Sequence, residues 1–245
     1  MKRDDVGFKP VWVSVISAGR PANVPKMTAL VGAATWYVPE ADVAAYAAAG
    51  AASVVGSGAL CRSRNHALDD AFAAGLVCVQ LSDDLSRIKK AVHSTTTPPK
   101  VVGVDITFAA AVDEISSLMS AVGAELGGCA PTNNPFFSNP DRPCGTHHFI
   151  VGDFVVVKPT VLRFDESLRL KEDYDYTLQH LACVGVVARA NTVLTHFAHR
   201  TNKGGAVAVR TPELEQASIR QLRERWGDKI RDNPKRPNEI LMRWP

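Results

Sequence analysis

The amino-acid sequence predicts an α/β fold built on a mostly parallel, open sheet with helices on both of its faces. Short apolar runs of strand character alternate with helical segments through the first half of the chain. Glycines such as Gly50 and Gly75 separate these segments. A chain of 245 residues is also long enough to bury one sizeable core.

The first half of the chain is predicted to contain four strands and two helices. The run KPVWVSVIS has the valine-rich composition of a buried strand, and the turn-forming segment AGRPAN follows it. The first helix follows PEAD, which places acidic residues in its first turn, and both helices end at a glycine. The predicted strands are 9–17, 34–38, 53–55 and 76–81, and the predicted helices are 42–49 and 63–74.

The second half is predicted to follow a hinge at 94–100, which is rich in threonine and proline. The predicted strands there are 101–106, 149–158 and 184–194, and the predicted helices are 108–126, 172–181 and 212–226. Two long loops are expected at 127–148 and 196–205 because both segments are polar and contain glycine. We therefore predict one domain with a first half at 9–106, a second half at 107–210 and a basic C-terminal segment at 211–245.

The composition argues against several classes of protein. Hydrophobic residues make up 46% of the chain and charged residues 22%, which is typical of globular proteins and not of disordered ones. No apolar run reaches the roughly 18 residues that cross a bilayer, and the segment MKRDD lacks a signal-peptide core. The five cysteines include no CxxC pair, which indicates reduced thiols in a cytoplasmic compartment. Neither GxGxxG nor GxxxxGK[ST] occurs, which argues against dinucleotide and P-loop chemistry.

Positive charge is concentrated near the C-terminus. The stretch 189–245 holds twelve Lys or Arg and six Asp or Glu, whereas the whole chain has a net charge of only +3. A basic end beside a more acidic body suits an enzyme with a polyanionic substrate, although a solvated helix face explains the same pattern. The candidate contacts to such a polyanion are Arg220, Arg223, Lys229 and the aromatic Trp226.

The end of the fourth predicted strand carries two adjacent carboxylates, Asp83 and Asp84. Two charges at the end of a buried strand are unfavourable unless a cation or donor groups compensate them. Mg²⁺ or Mn²⁺ shared with substrate phosphates is one solution, and a solvated turn or a helix cap is the alternative. A second acidic cluster, at 172–175, favours the metal-dependent interpretation.

In their order along the chain, these segments resemble a glycosyltransferase of the GT-A fold, which is Rossmann-like and carries a small acceptor-side β region. The resemblance covers roughly 11–205 and implies a sugar nucleotide bound beside a divalent metal, Mn²⁺ or Mg²⁺. It implies Asp84 as a metal ligand, although Ser82 stands where the family's Asp-x-Asp motif has its first aspartate. The donor-binding residues that it implies are Ala18, Gly19, Arg20, Arg64, Asn65, Asp83, Arg200 and Lys203.

The same resemblance implies the remaining catalytic groups. Asp173, with Glu172 as the second choice, corresponds to the family's later acidic motif, whose carboxylate faces the acceptor hydroxyl. A histidine after the last core strand often completes the metal site in this family, and both His196 and His199 qualify here. For Arg64, Glu172 and each histidine, an ordinary structural role is the alternative.

More narrowly, the chain resembles the TET-associated DNA glycosyltransferases of bacteriophages. The resemblance lies in the short motifs RPANV, RN, SDD, EDYD and RTNKGG and in their order. It implies transfer from a UDP-sugar to 5-hydroxymethylcytosine in DNA. Two alternatives stay open: a transferase that acts on a polysaccharide, protein or small-molecule hydroxyl, and a non-catalytic nucleic-acid-binding module.

Overall fold

The computed structural model describes residues 10–197, 210–236 and 239–245. Its first half is an α/β unit in which four strands pair in parallel in the order β3-β2-β1-β4. These strands are β1 (Val11–Ile16), β2 (Thr35–Val38), β3 (Ser53–Gly56) and β4 (Val77–Ser82). The four predicted strands and their parallel pairing are confirmed, but a fifth strand of this half, β5 (Leu85–His93), was missed.

Three helices connect these strands: α1 (Val24–Val31), α2 (Val43–Ala48) and α3 (Leu60–Ala73). The last two were predicted, with boundaries that differ by a few residues. The first was missed because it is short and has a proline in its first turn, where proline is tolerated. Its buried residues, Val24, Met27 and Val31, lie on one helical face.

The rest of the main sheet is mixed. Beyond β4 the order continues as β9-β7-β10-β5-β6, which completes a ten-stranded sheet together with β8, a short strand on β10. The added strands are β5 (Leu85–His93), β6 (Val101–Asp105), β7 (Leu126–Ala130), β8 (Cys144–Gly145), β9 (Phe154–Val157) and β10 (Ala188–Phe197). Strands from both sides of the predicted boundary at 106 therefore share one sheet.

Two predictions about loops are wrong. The supposed hinge at 94–100 connects β5 to β6, which pair in antiparallel fashion, so this segment is a hairpin loop. The supposed loop at 127–148 begins with β7, a fully buried strand between β9 and β10. Its sequence LGGCA does not have the β-branched composition of a strand. The two glycines stand there because neighbouring side chains occupy the space that larger residues would need. A methyl group on Gly127 would lie 2.6 Å from the sulfur of Met119.

The remaining elements are α4 (Phe108–Val122), α5 (Glu172–Val184), α6 (Pro212–Trp226) and the hairpin of β11 (Ile230–Asp232) and β12 (Ile240–Met242). The predicted bounds of α6 and the predicted start of α5 are confirmed. The β11–β12 hairpin was missed.

Helices cover both faces of the sheet, as predicted. Residues of α1, α2 and α4 pack in one core cluster, and residues of α3, α5 and α6 pack in a second cluster. Successive side chains of a strand point to opposite faces of the sheet. On β2, Trp36 accordingly packs in the first cluster and Tyr37 in the second. Within the described ranges, no helix is long and apolar enough to cross a membrane.

Candidate functional site

The candidate site lies where the strand order of the parallel half changes direction. From β1 the chain proceeds to β2 and β3 on one side, and β4 then pairs on the other side of β1. Residues that follow β1 and β4 meet at the carboxyl ends of these two strands. Ligands of open α/β sheets bind in the crevice at such a position.

Arg20 and the two adjacent carboxylates meet at this position. The Arg20 Nε lies 3.1 Å from Asp83 Oδ2, and its Nη1 lies 3.9 Å from Asp84 Oδ2. Both aspartates are buried, and Arg20 faces both carboxylates. Burial raises the pKa of Asp83 to about 6, and the charge of Asp84 adds to this effect. A bound cation would therefore stabilise the charged form of Asp83.

The turn that carries Arg20 is held by hydrogen bonds. The backbone N–H of Gly19 donates to Asp42 Oδ2 at 2.8 Å, and that of Arg20 donates to the Tyr46 hydroxyl at 2.9 Å. Ser17 donates to Asp83 and also bonds to the Tyr46 hydroxyl. Gly19 has a φ of 66°, which favours glycine at this position. The turn, including Ala18, is thus fixed before any ligand binds.

Arg64 and Asn65 use their side chains within the protein. Arg64 Nη2 donates to the carbonyl of Gly152 at 2.9 Å, and its Nε lies 3.2 Å from Glu172 Oε1. Asn65 exchanges two hydrogen bonds with the backbone of Phe164, at 2.8 and 2.9 Å. Both residues were predicted to bind the donor; in the structure Arg64 contacts Glu172 of the second acidic cluster, and Asn65 holds the segment around Phe164.

Asp173 lies at the N-terminal end of α5, where the backbone N–H of Gly152 donates to its Oδ2 at 3.1 Å. Burial and the charge of Glu172 raise the pKa of Asp173 to about 7. A carboxyl with this pKa exchanges protons near neutral pH, as a general base must. Glu172 is buried in its ion pair with Arg64, so Asp173 is the better candidate base of the two.

Asp153 belongs to the site but was not predicted. Its Oδ1 accepts a hydrogen bond of 2.9 Å from the Ser82 hydroxyl, and its carbonyl accepts one of 2.9 Å from the Ser82 N–H. Its charge also acts on Asp173, so it connects the two acidic clusters. It lines a cavity of about 310 Å³ together with Thr195 and Phe197. The only sequence signal was an acidic residue after Gly152, inside a segment interpreted as a strand or hairpin.

His196 lies on the exposed end of β10, where its Nδ1 is 2.9 Å from the Ser86 hydroxyl oxygen. Among the described residues, no group of three His, Cys, Asp or Glu side chains is arranged to hold a metal ion. The structure therefore does not place His196 in such a group with the Asp83 and Asp84 carboxylates. The other predicted residues of this region, His199, Arg200 and Lys203, lie outside the described residues.

The predicted DNA contacts of the C-terminal segment are mostly engaged with other residues. The Trp226 indole N–H donates to the buried carboxylate of Asp175 at 2.7 Å. Arg223 pairs with Asp232, and the Lys229 ammonium lies 5.4 Å from the ring centre of Trp244. Arg220 is exposed on α6.

Comparison with known proteins provides no family for this site. No protein-family model matches the chain, and no curated protein matches it.

Proposed function

We propose that the chain is a GT-A-type glycosyltransferase that moves a sugar from a nucleotide diphosphate, with a UDP-sugar as the expected donor, to the hydroxymethyl group of 5-hydroxymethylcytosine in DNA. One observation carries the proposal. Two acidic clusters that are far apart in the sequence meet through Gly152 and Asp153, beside the crevice at the ends of β1 and β4. The predicted cytoplasmic location belongs to the same proposal.

The donor diphosphate is placed at the carboxyl ends of β1 and β4. Arg20 lies at this crevice, and its side chain is 18% exposed, so it remains reachable from solvent. The hydrogen-bonded turn from Ser17 to Arg20 presents it in one orientation. A fixed guanidinium suits the two charged oxygens of a diphosphate.

The residues present fit Mn²⁺ or Mg²⁺. Asp83 and Asp84 supply hard carboxylate oxygens, are both buried, and lie next to each other at the end of β4. Such ions are usually bound through one or two carboxylates together with substrate phosphates, so a third protein ligand is unnecessary. When bound, the ion would neutralise charge on the leaving diphosphate.

On the acceptor side, Asp173 takes the proton of the attacking hydroxyl. The hydroxyl oxygen forms a bond to the anomeric carbon of the sugar, and the bond from that carbon to the phosphate oxygen breaks. The electron pair of the broken bond leaves with the nucleoside diphosphate. Gly152 orients the Asp173 carboxylate through its backbone N–H, and Arg64 holds Gly152 through its carbonyl.

The test is incubation of the protein with hydroxymethylated DNA, Mn²⁺ and a panel of nucleotide sugars, followed by mass spectrometry of the nucleosides. We expect one glycosylated nucleoside from the wild type. Asp84→Ala and Asp173→Asn should each lower its formation at least a hundredfold, because general-base catalysis alone contributes about 10²–10⁴ in rate. Asp113→Asn, an exposed carboxylate on α4, is the matched control and should retain full activity.

Donor binding is measured separately through the melting temperature. A UDP-sugar with Mn²⁺ should raise the melting temperature of the wild type and of Asp173→Asn, but not that of Asp84→Ala. Full activity in the presence of a chelator, or full activity of Asp84→Ala, would contradict the proposal. Transfer to a polysaccharide, protein or small hydroxyl compound, but not to DNA, would retain the reaction and replace the acceptor.

A further inference from the structure

A second cavity, of about 600 Å³, opens between β5, β10 and the loop that follows β7. Asn133 lines both this cavity and the cavity of about 310 Å³ at Asp153. The two cavities therefore adjoin at Asn133, the smaller one beside Asp153 and the larger one across β5. We call the two cavities together the Asn133 groove.

Cationic side chains line the outer part of the Asn133 groove. Arg87 and Lys89 alternate along β5, so they lie on one face of the strand, and His196 faces the same cavity from β10. Arg87 also pairs with Asp105 at 3.0 Å, but both side chains are more than half exposed, so water screens this pair. Within the described part of the chain, Lys89 makes no ion pair.

Two exposed aromatic rings follow Asn133 in the chain. Phe136 and Phe137 are 78% and 72% exposed, on a 3-10 turn (Pro135–Phe137) that follows Asn133 closely and packs against β6. The Asn134 side chain accepts a hydrogen bond of 3.0 Å from the Phe136 N–H, which fixes the turn. Solvent-exposed rings of this size have no packing role and are typical of binding surfaces.

We infer that the Asn133 groove binds a single-stranded nucleic-acid segment, with phosphates on Lys89, Arg87 and His196 and bases stacked on Phe136 and Phe137. Cations that follow the backbone beside rings that stack on bases are the usual combination in proteins that bind single strands. The exposed rings favour a nucleic acid over an acidic peptide. Bases stack on aromatic rings, whereas the carboxylates of an acidic peptide would use only the cations.

The smaller cavity, at Asp153, is where the end of a bound strand would enter the candidate site. Its volume of about 310 Å³ lies at the lower end of small-molecule sites, about 300–1,000 Å³, which leaves room for one unstacked base beside Asp153. A base inside a duplex would first have to be extruded. This inference rests on the proposed function in identifying the bound strand as the acceptor, and it places that strand on β5 instead of on α6.

The test is fluorescence anisotropy of a labelled oligothymidylate with the whole protein, without nucleotide sugar or metal, over a series of salt concentrations. We expect salt-dependent binding. Lys89→Ala should weaken it several-fold and make the slope of log affinity against log salt shallower by about 0.7, the value for one phosphate contact. The double variant Phe136→Ala/Phe137→Ala should weaken it about tenfold or more.

An exposed cation elsewhere, Lys26 on α1, is the matched control. Lys26→Ala should leave the affinity within about twofold of the wild-type value. All variants should keep the wild-type melting temperature within a few degrees, because the substituted side chains are exposed or half-buried.

Three results would overturn the inference: absence of oligonucleotide binding, unchanged affinity in the groove variants, or equal competition by polyglutamate, which would indicate an acidic peptide instead. The melting assay with a UDP-sugar and Mn²⁺ separates this failure from failure of the proposed function. A rise in melting temperature with the donor, without oligonucleotide binding, would overturn only the proposal that the groove binds nucleic acid. Binding that depends on Lys89, without any donor-induced shift, overturns the transferase and leaves the groove as a nucleic-acid site.

Discussion

The Arg64 guanidinium and the Glu172 carboxylate form a buried ion pair with an Nε–Oε1 distance of 3.2 Å. The side chains are 5% and 8% exposed, and they join α3 to the first turn of α5. Because Arg64 also donates to the Gly152 carbonyl, this pair fixes the position from which Asp173 faces the site.

Removing one member of this pair should be strongly destabilising. Glu172→Gln leaves the Arg64 charge buried without its counter-ion, and we expect a loss of about 3–5 kcal/mol in the free energy of unfolding. The matched control is Asp69→Asn, which breaks the more exposed pair between Asp69 and Arg163 and should cost less than about 1 kcal/mol. Urea unfolding measures both, and equal losses would show that the buried pair has no special role.

Asp173→Asn should stabilise the protein at high pH. The folded-state pKa of Asp173 is raised from 3.8 to about 7. The stabilisation that the protein gains from protonated Asp173 is therefore fully present below pH 3.8 and is lost as the pH rises to about 7. Asparagine cannot ionise, so near pH 8 the variant should be more stable than the wild type by up to about 4 kcal/mol, and near pH 4 the difference should vanish. Thermal melts across this range measure it, and a variant less stable than the wild type near pH 8 would refute the assignment.

His180 should make the protein sensitive to acid. It is fully buried on α5 against the Tyr176 ring, and in the part of the chain that the structure describes neither of its ring nitrogens has a hydrogen-bond partner. Burial lowers its pKa from 6.5 to about 4. His180 therefore binds a proton in the unfolded chain but stays neutral in the folded protein over this range. The free energy of unfolding falls as the pH drops from 6.5 to about 4.

The expected loss from His180 is roughly 3 kcal/mol over that window, because one pKa unit corresponds to about 1.4 kcal/mol. His180→Leu should make the urea-unfolding free energy less dependent on pH in this range. His147→Ala, an exposed histidine, is the control and should leave the dependence unchanged. An identical pH dependence in wild type and His180→Leu would contradict the assignment.

Gly128→Ala should be destabilising because β7 approaches its neighbours closely. A methyl group at Gly128 would lie 2.5 Å from Ile150 Cγ2 and 3.0 Å from the Phe154 carbonyl oxygen, and the backbone cannot move aside easily. We expect a loss of about 1–3 kcal/mol in urea unfolding. Gly103→Ala is the control, since its methyl group would meet only the flexible Lys89 stem at 3.0 Å. Similar stability of the two variants would contradict this explanation.

The sequence by itself determined the parallel half of the sheet, because apolar runs separated by glycines specify strands and helices locally. It also determined that an acidic pair follows β4 and that α5 begins with Glu172 and Asp173. The assignment of Asp83, Asp84 and Asp173 to one site stays part of the proposal. The structure itself shows that Ser82 bonds to Asp153 and that the neighbouring Gly152 bonds to Asp173.

Only the tertiary structure decided which groups meet. β7 was missed because its glycines serve contacts with α4 and Ile150, and β5 was missed because one of its faces carries charged residues. Arg64 was assigned to a phosphate, yet its partner is Glu172, and Asp153 had no signal beyond a glycine before it. These outcomes depend on contacts between residues far apart in the chain, which local patterns do not encode.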